Sequence, residues 1–159
     1  MAHIYTATVD WQRGDQAFLD NKYSRAHDLT FDGGAVVRGS SAPSSVPVPY
    51  SDPAAVDPEE ALVAAASACH MLFFLAFAAK RGFRVDSYTD AASGEMTKPA
   101  GAKMFMSKIT LSPRIAFSGT TRPSAEDIAA LHHRAHDECY IANSIKAEVV
   151  IAAVPPAFA

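Results

Sequence analysis

The sequence predicts an α+β fold, organised as one domain over residues 1–159. Three observations carry that expectation. An uncharged run over residues 61–79 reads as one long, largely buried helix. Segments with strand-like character lie on both sides of it, and a shorter amphipathic helix precedes the last apolar segment. The resulting order is strands, helix, strands, helix, strand, not the repeating strand–helix unit of a parallel sheet. A chain of 159 residues buries a core without needing disulfide or metal staples.

Taken in order, residues 3–11 alternate through Tyr5, Ala7, Val9 and Trp11, as a strand with one buried face does. Gly14 turns the chain. Residues 23–31 and 35–39 read as two further strands split by the turn signal Asp32-Gly33-Gly34. Residues 40–57 are rich in Ser, Pro and Val, and the prolines exclude a helix, so an extended surface connection is expected. Asp57-Pro58-Glu59-Glu60 is a helix start. Asp57 caps, Pro58 suits the first helical position, and Glu60 completes a capping box. The helix runs to about Lys80-Arg81, whose cations suit its C-terminal end, and Gly82 stops it. Strands are predicted at 85–91, 103–111 and 114–117. Ser124-Ala125-Glu126-Asp127 opens a second helix, on which Ile128, Leu131, Ala135 and Cys139 share a face. Residues 145–154 close the chain as a strand.

The composition is that of a soluble globule, with 49% apolar and 19% charged residues. A net charge of −3 without any basic block gives no electrostatic basis for binding nucleic acid. The first residues lack the charged-then-apolar layout of a secretion signal, so a cytoplasmic location is expected. The long helix is nearly long enough to span a bilayer. It nevertheless contains Ser67 and His70, begins with a soluble-protein cap and lacks aromatic or basic belts, so no membrane role is expected. One helix this apolar needs cover on nearly every side. Pairing two such helices in a homodimer provides it.

The chemistry concentrates in two cysteines, Cys69 within the long helix and Cys139 after the second one. A cysteine is reactive as a thiolate, which needs a nearby cation or a helix N-terminus. Cys69 lies about three turns inside its helix, so the cation must come from elsewhere. His70 is adjacent in sequence but about 100° round the helix, and it points away. Arg13, Arg25 and Arg38 on the N-terminal segments are the candidate cations. Glu59 or Glu60 is a carboxylate that an arginine can grip bidentately. Separately, His132, His136 and Cys139 have helical spacing compatible with zinc, but the pattern matches no established metal motif. No phosphate-binding loop, nucleophile elbow or dinucleotide fingerprint is present, and no cofactor is implied.

Two motifs together resemble the OsmC/Ohr family (osmotically inducible and organic hydroperoxide resistance proteins). The first is DPEEALVAAASACH, in which Cys69 follows Glu59 by ten residues, and the second is CYIANSIKAEVVI from Cys139. The resemblance covers essentially the whole chain in length and element order. It implies antiparallel sheets wrapped around long central helices in an intertwined homodimer, with a site at each subunit interface. It further implies a thiol peroxidase that reduces organic hydroperoxides, with Cys69 as the peroxidatic cysteine and Cys139 as the resolving one. By the same resemblance Glu59 holds the active-site arginine, and a dithiol of lipoyl or thioredoxin type returns the enzyme to its reduced form. No arginine lies between Gly39 and Asp57, where one branch of the family carries it. Arg25 is therefore the expected arginine and Arg38 the second choice. The chain departs from the pattern in lacking a proline after Cys139 and in carrying His70 where an aromatic is usual, which places it in a divergent branch.

Helix geometry adds a constraint. Ten residues along one straight helix put Glu59 and Cys69 about 15 Å apart. Both can serve one arginine only if the helix breaks between them or the glutamate comes from a second subunit. The competing expectation is a non-enzymatic dimer that binds a small apolar molecule or senses redox state through the same thiols.

Overall fold

In the computed structural model, which describes residues 2–152 and 154–158, the N-terminal alternation forms a three-stranded antiparallel sheet. Strand β1 (Ala7–Asp10) pairs with β2 (His27–Phe31), which pairs with β3 (Val36–Gly39). The hairpin turns at Asp32-Gly33-Gly34, where Gly34 takes φ +82. Strand β1 is shorter than the predicted 3–11. The register sets Ala7 opposite Phe31, and β2 ends there, so the residues before Ala7 have no β2 residue to pair with. Residues 23–26 also leave the predicted strand. Their backbone bonds elsewhere, Arg25 N–H to the Tyr50 carbonyl at 2.8 Å and the Ser24 carbonyl to the Trp11 indole N–H at 2.8 Å. The proline-rich segment has no helix, and it returns to β3 through a parallel bridge between Gly39 and Val56.

The chain divides into two compact units, residues 1–61 and 62–159. Helix α1 (Pro58–Lys80) starts with the predicted capping box. The Glu60 N–H donates to Asp57 Oδ1 at 2.8 Å, and the Asp57 N–H to Glu60 Oε2 at 3.2 Å. It ends in a Schellman motif, with Gly82 at φ +76 and the Phe83 N–H returning to the Ala78 carbonyl at 3.0 Å.

In the second unit, β4 (Arg84–Asp90) pairs antiparallel with β7 (Pro113–Ser118), and β9 (Ala157–Phe158) adds to β7 in parallel. Strand β5 (Ser93–Thr97) pairs antiparallel with β6 (Phe105–Leu111), and β8 (Glu148–Ile151) adds to β6 in parallel. The two parallel pairs depart from the expected all-antiparallel sheets. Strands β5 and β9 had no counterpart in the sequence reading, and β8 is shorter than the predicted 145–154, of which Ala153 lies outside the described residues. Helix α2 (Ala125–Glu138) has the expected Ser124 cap, closed into a box by Asp127.

Two apolar clusters lie at different heights along the buried face of α1. Phe74, Phe77 and Ala78 pack with Phe83, Ile115, Phe117, Leu131 and Ala135, joining α1 to β7 and α2. Ala66 packs with Ile109, Leu111 and Ala147, joining it to β6. Each fully buried phenylalanine here contributes about 1.5–3 kcal/mol. Within the chain, only Ala66, His70, Phe74, Phe77 and Ala78 of α1 are buried. Ala65, Ala68, Leu72 and Ala76 form an exposed stripe, with Leu72 at 63%. By length and composition α1 also passes as a membrane-spanning segment.

Candidate active site

Cys69 and Cys139, seventy residues apart in sequence, come close enough in the second unit for each thiol to act on the other electrostatically. Both are free. They are brought there by α1 and by the end of α2, where Cys139 is the C-cap, with extended backbone (φ −68, ψ 108) and its N–H on the His136 carbonyl. Their environments differ. Cys69 is half-buried, whereas Cys139 is 1% exposed. Burial raises the Cys139 thiol above its ordinary range, and Cys69 acts in the same direction. The N–H groups of Ala142 and Ile141 work against the shift, Ala142 bonding the sulfur at 3.4 Å. Cys139 is thereby held as a thiol.

Beside this pair lies a polar cluster in the core. His70, 1% exposed, is turned away from Cys69 as its helical position requires, and it meets α2. Its Nε2 is 3.0 Å from His132 Nδ1, with the two rings nearly coplanar and edge to edge, centroids 5.3 Å apart and planes 13° apart. Phe74 packs on His132 with centroids 4.5 Å apart. Burial pushes His70 down to about 4, with His132 and His136 adding to the shift. Burial lowers His132 too, against an opposing pull from Asp90. Asp90 accepts from Ser67 Oγ at 2.5 Å and from the Ser112 N–H at 2.6 Å. The buried Tyr88 hydroxyl has no hydrogen-bond partner among the described residues. Among those residues no group of three His, Cys, Asp or Glu side chains is placed to hold a metal ion. His132 Nδ1 faces His70 instead.

The other predicted residues sit in the first unit. Arg25 lies just before β2, not on it. Its guanidinium stacks 3.7 Å over the Tyr23 ring and donates to the carbonyls of Tyr23 and Asn21 and to Asn21 Oδ1. Arg38 pairs with Asp28 across the β2–β3 ladder at 2.8 Å, both side chains about half exposed. Arg13 donates to the Gln16 carbonyl in its own turn. Glu59 is half-buried in the first turn of α1 and has no hydrogen bond or ion pair among the described residues. The helix is unbroken from Pro58 to Lys80, so a break between Glu59 and Cys69 does not occur. Phe74 belongs to the core. Phe73 is half-buried edge-on to Tyr140 at 5.2 Å, and Met104 is exposed. Tyr140, 69% exposed and adjacent to Cys139, was not singled out from sequence, because a lone tyrosine after a cysteine carries no pattern.

A thiol pair between a long central helix and the end of a shorter one, in an α+β fold with three small sheets, defines the class. The chain belongs to the OsmC-like family, whose family model matches residues 51–153. It is similar over 96% of its length, and over all of the other chain, to an OsmC-like protein of unknown function from Vibrio cholerae, at 48% identity and a TM-score of 0.93. The fold is shared with an organic hydroperoxide resistance protein from Legionella pneumophila at 13% identity and a TM-score of 0.62, with 99% and 98% of the two chains covered. It is shared too with the organic hydroperoxide resistance protein OhrB of Bacillus subtilis, at 14% identity and a TM-score of 0.58, again over 99% and 98%. No match was found among curated proteins.

Proposed function

We propose that this protein is a cytoplasmic thiol peroxidase that reduces organic hydroperoxides and works as a homodimer. The observation that carries the reading is the close approach of two unequal thiols, Cys69 half-buried and Cys139 buried and held protonated. The Cys69 thiolate attacks the distal peroxide oxygen. The O–O bond breaks, the alkoxide leaves with a proton as an alcohol, and Cys69 becomes a sulfenic acid. The Cys139 sulfur then attacks the Cys69 sulfur. The hydroxyl departs with the Cys139 proton as water, and a disulfide forms. A dithiol of lipoyl or thioredoxin type reopens it by exchange, becoming a disulfide itself. Arg25 stabilises the thiolate and orients the peroxide, and Glu59 fixes its guanidinium. Because α1 is continuous, Glu59 performs this role for the Cys69 of the second subunit. The exposed Ala68–Leu72–Ala76 stripe of α1 supports the homodimer, since a second α1 would cover it. No cofactor takes part.

Cys139→Ser separates the two chemical steps. The variant should consume about one equivalent of cumene hydroperoxide and retain a dimedone-reactive sulfenic acid on Cys69, with dithiol-driven turnover slowed about tenfold or more. A wild-type steady-state rate in this variant would remove Cys139 from the mechanism. Wild-type protein that forms the disulfide without sustained turnover would instead be a redox sensor.

A further inference from the structure

The imidazole pair between α1 and α2 is unused by the reaction above, and its geometry fixes its protons. His70 Nδ1 is buried without a partner among the described residues. A proton there would be an unsatisfied buried donor, costing about 1–3 kcal/mol. The proton of His70 therefore sits on Nε2 and is donated to His132 Nδ1, 3.0 Å away. A second proton has two places to go. On His70 Nδ1 it is a buried charge without an acceptor, and on His132 Nδ1 it removes the acceptor of the bond. The pair closes only when both rings are neutral. The charged and titratable groups that act on it are Asp90 from β4 and His136 from α2, with Tyr88 of β4 reaching it only through the Phe74 ring. Asp90 is already engaged by Ser67 and Ser112.

The position of this bond gives it a consequence for the thiols. His70 is the residue after Cys69 on α1. His132 is seven residues before Cys139, two turns back along the same face of α2, about 10 Å. Cys139 itself is a C-cap whose following residues form only a single 3-10 turn, Ala142–Ser144. The Phe73–Tyr140 edge contact and the packing of Ile141 and Ile145 tie the segment after Cys139 to α1, and the His70–His132 bond ties the helix before it. We propose that the His70–His132 hydrogen bond is a positioning latch that holds Cys139 against Cys69 and thereby sets the stability of the disulfide between them. The inference rests on the reading of the two cysteines as a redox pair.

The test is the thiol–disulfide equilibrium of the full chain in glutathione buffers at pH 7. Oxidised glutathione takes two electrons from the two cysteines, each of which gives up its proton, and is released as two reduced molecules. His70→Phe keeps an aromatic ring at this position but removes the donor. It should lower the equilibrium constant for the Cys69–Cys139 disulfide about tenfold, a rise in potential of about 30 mV. His70→Gln restores a donor near the Nε2 position and should recover the constant to within about threefold of wild type. His132→Phe should match His70→Phe, and the double variant should be no worse than either single one, since one bond is lost in all three. A wild-type constant in both single Phe variants, or a His70→Gln no better than His70→Phe, overturns the latch. Wild-type protein that forms no disulfide in any glutathione buffer sinks the latch and the redox pair together. Wild-type protein that forms the disulfide but turns over no peroxide sinks only the peroxidase reading, and the variants still decide the latch.

Discussion

Replacing Cys69 by serine should remove the proposed hydroperoxide reduction. A serine hydroxyl is not ionised at neutral pH, so turnover of cumene hydroperoxide with a dithiol reductant should fall by about a thousandfold or more, to background. The assignment to Cys69 and not Cys139 follows from environment. The half-buried sulfur is the one a peroxide can reach, and the sulfur at 1% exposure is held as a thiol by burial and by its neighbour. Serine is nearly isosteric, so thermal stability should change little, and loss of activity with an intact unfolding transition isolates the chemistry. Peroxidase activity at the wild-type level in Cys69→Ser would exclude this mechanism.

The second large effect is on acid stability. His70 is buried neutral, and its pKa is lowered from 6.5 to about 4 by burial and then by His132 and His136. Between those values the unfolded chain binds a proton that the folded one does not. Stability therefore rises with pH across the window, is complete above about pH 6.5, and is lost as the pH falls toward 4. A shift of this size corresponds to about 3 kcal/mol. His132 is shifted in the same direction and adds to the slope. Urea unfolding at pH 7, 5 and 4 should show a falling midpoint in the wild type and a much flatter profile in His70→Phe. Equal slopes in the two proteins would show that His70 is not the group responsible. Near neutral pH the group stays uncharged, which is the condition the latch requires.

Much of the local structure was legible in the sequence because its causes are local. The Asp57 and Ser124 capping boxes, the Gly82 stop and the Asp32-Gly33-Gly34 turn each depend on residues within about four positions of one another. Strand β5 was not legible. Its sequence, SGEMT, has no alternation, and it exists through pairing with β6 and the 2.7 Å Lys108–Glu95 ion pair. The parallel additions of β8 and β9 are likewise set by partners far away in sequence. The same division runs through the site. The spacing of Glu59 and Cys69 on one helix was readable, and so was the turn of His70 away from Cys69. That His70 would find His132 was not, because the i, i+4 spacing of His132 and His136 looks the same whether it serves a metal or a buried pair. Arg25 falls within the strand predicted over 23–31, which the Asp32-Gly33-Gly34 turn closes. The Tyr50 carbonyl and the Tyr23 ring hold it in the segment before β2 instead.

The central claim is that Cys69 and Cys139 act as one redox unit toward organic hydroperoxide. Adding one equivalent of cumene hydroperoxide to the fully reduced protein, followed by acid quenching and peptide mass mapping without reductant, tests it directly. The account predicts consumption of the peroxide, one Cys69–Cys139 disulfide within each chain and no remaining free thiol. Both cysteines recovered as free thiols beside unconsumed peroxide would contradict it.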